Sequence, residues 1–278
     1  MDITTTVWRP ARLLQEDSPD HDFAIVVLNQ PLNDAQTLGR LWRNSSLRIA
    51  ADGGANRLCD LQREEDQKKN SGRDGQNFDT LDVIIGDLDS LSESARNHFE
   101  KVNSSIQIIT VEDQYSTDFS KAVSHARATA KGSGMDVVAM GGLGGRVDQG
   151  LSQIHHLYLF QTSPTYAEGK MYLVSGESLT FLLKAGSHHI HVREPPCNGN
   201  SGAAPEEVFA KYAGIIPVKE PSVITLKGFE WDVTDWPTEF GGQISTSNHV
   251  LPETQVVEVT TSKDVLFTIA LNGRAGTG

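Results

Sequence analysis

The run Leu81-Asp-Val-Ile-Ile-Gly-Asp-Leu-Asp-Ser90 ends a short apolar strand with two acids, Asp87 and Asp89. In extended backbone, side chains two residues apart share a face at roughly 6–7 Å. Carboxylates that close repel unless a cation lies between them, and a hard ion such as Mg²⁺ takes a few carboxylate oxygens together with water and substrate phosphates. Gly86 leaves room for a close backbone approach, and Ser90 is placed to cap a following helix. A solvated acidic turn is the competing reading.

The elements that would position this pair come from the whole chain. Its 278 residues are 38% hydrophobic and 22% charged, which describes a globular protein with one large domain or two ordinary ones. A formal charge of −12 argues against nucleic acid as the main partner. No apolar run reaches the ~18 residues of a membrane span, and the Met1-Asp-Ile-Thr-Thr-Thr start does not read as a signal peptide. With only Cys59 and Cys197, a reducing compartment is expected, the cytosol by default.

Strand and helix patterns alternate up to about Gly176. Strand candidates are Phe23–Leu28, Leu47–Ala51, Val83–Gly86, Ile106–Thr110, Val137–Met140 and Met171–Val174, most of them continuous apolar runs as expected for strands covered on both faces. Helical periods fall at Asp34–Arg43, at Thr117–Lys131 (Ser116 as cap, Gly132 as stop) and at Asp148–Gln161. This predicts an α/β domain over residues 1–176 with a doubly wound, mostly parallel sheet. After Gly176, short strand-like runs punctuated by Gly and Pro predict a smaller all-β sandwich over residues 177–278. Gln62–Asn77 and Glu194–Pro205 read as surface insertions.

Ligands of open α/β sheets bind at the carboxyl ends of strands, and polar or glycine-rich sequence recurs there. Leu28-Asn-Gln-Pro-Leu32, Ala51-Asp-Gly-Gly-Ala-Asn56, the aspartate pair, Asp113-Gln-Tyr-Ser-Thr-Asp118 and Gly141-Gly-Leu-Gly-Gly-Arg-Val-Asp-Gln149 follow five successive strands. Gly53 and Gly54 form either a tight turn or an anion-binding helix start. The later glycine loop fits neither a P-loop nor a dinucleotide fingerprint, but Arg146 within it suits phosphate oxygens. Asp118 is either a first-turn acid or a third metal carboxylate. Lys121 is a phosphate contact or a solvated residue. His155 and His156, adjacent on a helix, point different ways and do not read as metal ligands. His189 and His191 read as structural. Trp231 and Trp236 are core side chains or a stacking platform.

Taken in order, these motifs, with Ser116-Thr-Asp-Phe-Ser-Lys121, Gly228-Phe-Glu-Trp231 and Ser245-Thr-Ser-Asn248, resemble the thiamine pyrophosphokinase family over about residues 23–271. The resemblance implies transfer of a diphosphate from ATP to the hydroxyl of thiamine, giving thiamine diphosphate and AMP. It implies an α/β domain that binds nucleotide and metal, a β-sandwich that binds thiamine, and a homodimer with sites between subunits. By motif, Asp87, Asp89 and Asp118 would hold Mg²⁺. Asp52, Asn56, Lys121 and Arg146 would lie near the nucleotide phosphates, with Asn29 and Gln30. Gln114, Asp148, Trp231 and Ser245 match thiamine positions. Many relatives read Asp-Gln-Asp where this chain has Asp113-Gln-Tyr115, which removes any metal role at Tyr115.

The implied chemistry is coherent, because diphosphate transfer depends on alignment and charge neutralisation. Arg146 would stabilise developing negative charge, and Trp231 would attract the thiazolium cation. The alternatives are a Mg²⁺-dependent phosphohydrolase with Asp87 as nucleophile and a non-catalytic nucleotide- or thiamine-binding protein. No general base stands out.

Overall fold

The computed structural model describes residues 5–16, 22–130, 134–141, 143–195 and 207–272. The chain begins with β1 (Thr6–Trp8) and α1 (Pro10–Leu14). Strands and helices then alternate: β2 (Phe23–Val27), α2 (Ala35–Asn44), β3 (Leu47–Ala51), α3 (Gly54–Asn70), β4 (Val83–Gly86), α4 (Glu93–Val102), β5 (Gln107–Thr110), α5 (Asp118–Thr129), β6 (Asp136–Met140), α6 (Val147–Phe160) and β7 (Met171–Val174). Strands alone follow: β8 (Ser178–Leu183), β9 (Gly186–His191), β10 (Phe209–Ile216), β11 (Ser222–Lys227), β12 (Val233–Thr238), β13 (Ser245–His249), β14 (Val256–Thr261) and β15 (Val265–Leu271). Two compact units result.

In the α/β unit, β2 to β7 pair in parallel in the order β7-β6-β2-β3-β4-β5. All five residues of β2 are buried, as its unbroken Phe-Ala-Ile-Val-Val run requires of a strand covered on both faces. The order reverses at β2, with β3 on one side and β6 on the other, which makes the β2/β6 crevice the binding position of a doubly wound sheet. Leu28 N–H donates to the Met140 carbonyl (3.0 Å), Asp52 N–H to Ile85 (2.9 Å) and Val111 N–H to Gly86 (2.7 Å). These bonds carry the sheet register one residue past the strand ends, so the polar segments emerge side by side.

The β unit contains two sheets, β1-β9-β14-β11-β12 and β13-β10-β15-β8. Trp8 of the first is fully buried and stacks on Phe181 of the second, with ring centroids 4.4 Å apart. Its indole N–H donates to His188 Nδ1 at 3.1 Å, so the one polar atom of the ring is satisfied in the core.

Several expectations need correction. A domain over residues 1–176 misassigns the first strand, because Thr6–Trp8 pairs in parallel with β9 of the β unit. Gln62–Asn77 is not a surface insertion throughout. Residues to Asn70 continue α3, and the buried Gln62 and Glu65 accept from the N–H groups of Phe78 (2.6 Å) and Gln76 (2.8 Å). The cap of α5 is Thr117 rather than Ser116, its hydroxyl accepting from Ser120 N–H at 3.1 Å. β10 and β12 escaped the sequence pattern. Charged Lys211 interrupts the first, and Pro237 lies in the second, which is tolerated because β12 is an edge strand. Gly132, Cys197 and residues 196–205 of the second expected insertion lie outside the described residues. Cys59 is buried and free. Among the described residues no helix is long and apolar enough to cross a membrane.

Trp8→Ala is expected to lower unfolding stability by about 3–5 kcal/mol through the inter-sheet cavity it leaves. Urea denaturation checks this; a loss under 1 kcal/mol would show that the first strand adds little to the sandwich.

Candidate active site

A cavity of about 440 Å³ opens at the carboxyl ends of the parallel strands, lined by the segments after β2, β3, β4 and β5 and by α6. Its acidic part is set by three short structures. After β3 the chain turns through Asp52, whose φ of +43° lies in the left-handed region and aims its carboxylate back toward β4. After β4, Leu88 at φ +67° bends the chain, and Asp89 N–H donates to Asp87 Oδ1 at 3.1 Å. Asp118 begins α5 directly behind its Thr117 cap. Gly86 has no side chain for a physical reason: a Cβ there would lie 2.7 Å from Asp52 Cβ and 3.0 Å from Asp118 Oδ1.

Carboxylate oxygens of Asp52, Asp87 and Asp118 therefore lie within 4.8 Å of one another. At an effective dielectric of ~20, each pair at that separation repels by on the order of 3 kcal/mol, less where solvent screens it. Asp52 is 4% exposed, and its Oδ1 is buried without a hydrogen-bond partner among the described residues. Burial is the main cause that raises the Asp52 pKa, helped by the Asp118 and Asp87 charges, while hydrogen bonding from Ser90 opposes the rise. Lys121 compensates part of the charge by donating to Asp118 Oδ1 at 3.0 Å. Three clustered acids with an unsatisfied buried oxygen fit a hard divalent cation.

This arrangement differs from the expected metal set. Asp89 does not join the cluster: the turn at Leu88 breaks the extended geometry under which Asp87 and Asp89 would share a face, and Asp89 is exposed. Asp52, expected beside phosphates, takes the third place. Asn56 faces the loop rather than the cavity; it donates to the Ser90 carbonyl (2.6 Å) and accepts from Ser92 N–H (2.9 Å), pinning the aspartate loop to α3. Asn29, Gln30 and Gln114 line the cavity. Lys121, Arg146 and Asp148 do not. Arg146 and Asp148 are exposed and paired at 2.5 Å, which raises the arginine pKa and lowers that of the carboxylate.

Beyond Gln149, the α6 wall was not anticipated. Gln149, Ser152, Gln153 and His156 recur at helical spacing and line the cavity, whereas the apolar Leu151 of the same helix is 58% exposed. A search for polar rather than apolar periodicity would have found that stripe. His156 is buried and ties α6 to the α5 cap: Nδ1 faces the Ser152 carbonyl at 2.5 Å, and Nε2 meets the Thr117 and Ser120 hydroxyls at 2.8 and 2.9 Å. A carbonyl only accepts, so Nδ1 carries the proton, and burial lowers the pKa of the ring.

In the β unit, Trp231 and Ser245 line a separate cavity of about 210 Å³ with Trp236 and Asn248. Trp231 is 52% exposed, so core packing is not its role. The Asn248 amide holds its backbone through bonds of 3.2 and 2.9 Å, leaving the ring available as a platform.

Comparison with known proteins bears on both units. Residues 38–167 match the model of the thiamin pyrophosphokinase catalytic domain and residues 187–266 that of the thiamin pyrophosphokinase vitamin B1 binding domain. Thiamine pyrophosphokinase 3 of Oryza sativa subsp. japonica is 32% identical, covering 90% of this chain and 87% of the rice protein. Thiamine pyrophosphokinase 1 of Arabidopsis thaliana is 32% identical over 92% and 89%. The crystal structure of yeast thiamin pyrophosphokinase shares the fold, with a TM-score of 0.75 at 23% identity over 97% of this chain and 92% of the yeast chain. These matches do not favour the phosphohydrolase or the non-catalytic reading.

Because the raised Asp52 pKa reflects a disfavoured charge, its stabilising contribution is full below the unfolded carboxylate value and lost as pH rises through the folded value. Asp52→Asn should therefore stabilise the metal-free protein at pH 7–8, by about 2–4 °C per kcal/mol recovered, with the gain vanishing near pH 4. Mg²⁺ should raise the melting temperature of the wild type and not that of this variant. A variant less stable than wild type in chelator at pH 8 would show that the cost of the buried Asp52 charge does not dominate here.

Proposed function

The chain belongs to the thiamine pyrophosphokinase family, and we propose that it is an enzyme transferring a diphosphate group from ATP to the hydroxyl of thiamine, with Mg²⁺ at the carboxylate cluster. The observation that carries the site assignment is the convergence of Asp52, Asp87 and Asp118 at the strand ends of the matched catalytic domain. When bound there, Mg²⁺ would neutralise the polyphosphate and draw charge from the attacked β-phosphorus. Asp52, Asp87 and Asp118 would hold the ion, with Asp89 on the same loop.

The remaining work falls to side chains that position and neutralise. Lys121 orients Asp118, and Asn56 fixes the loop carrying Asp87. Asn29 and Gln30 line the cavity beside the Gly53 turn and suit phosphate contacts. Arg146, on its exposed glycine loop, would exchange Asp148 for phosphate oxygens and stabilise charge developing on the leaving AMP. The thiamine oxygen forms a bond to the β-phosphorus as the bond from that phosphorus to the α-bridging oxygen breaks, and the hydroxyl proton passes to solvent. Gln114, Asp148, Trp231 and Ser245 would contact thiamine, Trp231 through its exposed ring face against the thiazolium. A homodimer with sites between subunits is supported by Val147 (77% exposed) and Leu151, apolar side chains one turn apart on α6. A cytosolic setting suits the free Cys59.

Incubation with ATP, Mg²⁺ and thiamine should yield AMP and thiamine diphosphate; ADP in place of AMP would refute two-phosphate transfer. Asp87→Asn should cut kcat at least about 10²-fold, with an unchanged circular-dichroism spectrum. Leu151→Asp should shift the light-scattering mass from dimer to monomer, and an unchanged mass would remove α6 from the subunit contact.

A further inference from the structure

The α6 wall holds two buried polar side chains with opposite fates. His156 spends both ring nitrogens on Ser152, Thr117 and Ser120. Gln153, one turn earlier on the same wall, is 6% exposed, and its Oε1 is buried without a hydrogen-bond partner among the described residues. Roughly 90% or more of buried polar groups in folded proteins are paired, so an unpaired amide oxygen on a cavity wall calls for a partner from outside the chain.

The chemistry of that partner follows from the surroundings. Gln149, Ser152, Gln153 and Thr117 are uncharged, and neither Lys121 nor Arg146 reaches the cavity lining, so this wall does not suit a phosphate. Phe119, also on the lining, lies with its ring 4.8 Å from that of His156, giving a flat aromatic neighbour for a planar ligand. A carboxamide offers an acceptor and a donor in one plane, the complement of an amino group beside a ring nitrogen, as glutamine pairs with the amino edge of adenine in nucleic-acid recognition. Such an edge occurs on both substrates of the proposed reaction, the 4-aminopyrimidine of thiamine and the adenine of ATP.

We propose that Gln153 is a specificity-determining residue that reads this amino-heteroaromatic edge of a substrate in the cavity. The inference rests on the functional reading above and deepens it. Affinity is then set by a bidentate pair that the free protein leaves unmade, and an analogue without the amine leaves the amide unpaired, the situation in which polar sites discriminate most strongly.

The test is a binding cycle by calorimetry in Mg²⁺, each ligand added alone so that no turnover occurs. Wild type and Gln153→Leu are titrated with thiamine and its 4-deamino pyrimidine analogue, and with ATP and purine riboside triphosphate. For the substrate that Gln153 reads, wild type should prefer the amino form by about tenfold or more, and Gln153→Leu should abolish that preference while leaving the other pair unchanged. The affected pair identifies the vitamin or the nucleotide. Equal losses for amino and deamino forms, or unchanged affinities for all four ligands, would overturn the proposal. Gln153→Met, closer in shape, gives the same reading should the leucine variant melt below the assay temperature. AMP formation by wild type in the same preparation is the control: if AMP is made and the cycle fails, only the role of Gln153 falls.

Discussion

Mutual repulsion among three carboxylates is the constraint around which the α/β unit is arranged. Left to themselves, Asp52, Asp87 and Asp118 would separate, and the fold prevents this by taking each from a different rigid element: the end of β3, the end of β4 and the start of α5. Parallel pairing of β3 with β4 fixes the first two. The missing side chain at Gly86 lets Asp52 and Asp118 approach across it. Compensation inside the chain is partial, a lysine on Asp118 and a backbone N–H on Asp52, so the cluster stays short of positive charge. Backbone in the left-handed region at Asp52 and Leu88 stores strain in the same place. Residues so costly to hold together suit a site completed by a hard cation, whose binding energy would offset the repulsion.

Around this cluster the labour divides. Strand ends supply acids and backbone groups suited to a charged polyphosphate, whereas α6 supplies uncharged amides and hydroxyls suited to a flat heterocycle. His156 connects the two by bonding the cap of the helix that begins with Asp118, so a shift of α6 reaches the carboxylate cluster through one imidazole. Its lowered pKa keeps that imidazole neutral and able to accept at neutral pH. In the β unit, the Asn248 brace on Trp231 follows the same logic: a polar side chain saturates local backbone so that a large group can remain exposed.

Much of the fold could be read from the chain because its signals are local. The continuous apolar runs of β2, β4 and β7 fall within one residue of their expected ends, since strands covered on both faces leave no polar interruptions. Failures came where a contact distant in sequence overrides local composition. Residues 62–70 read as a charged insertion, yet the bonds from Gln62 and Glu65 to the returning chain at Phe78 and Gln76 make them helix. Thr6–Trp8 precedes the α/β unit but pairs with a strand about 180 residues later, a partner no window of sequence reveals.

By itself the sequence determined the element types, the sheet class, the family resemblance and the set of polar segments at strand ends, because hydrophobic periodicity and turn chemistry act over a few residues. Only the tertiary structure decided which of those polar groups meet. Asp52 replaced Asp89 at the carboxylate cluster because one residue in left-handed backbone, Leu88, redirects the loop. Arg146 paired with Asp148 rather than facing the cavity. Gln153 and His156, similar as polar residues on one helix, took opposite roles because the hydroxyls of α5 reach only the second. Side-chain partnership depends on distances between elements far apart in the chain, and only close packing of the folded molecule sets those distances.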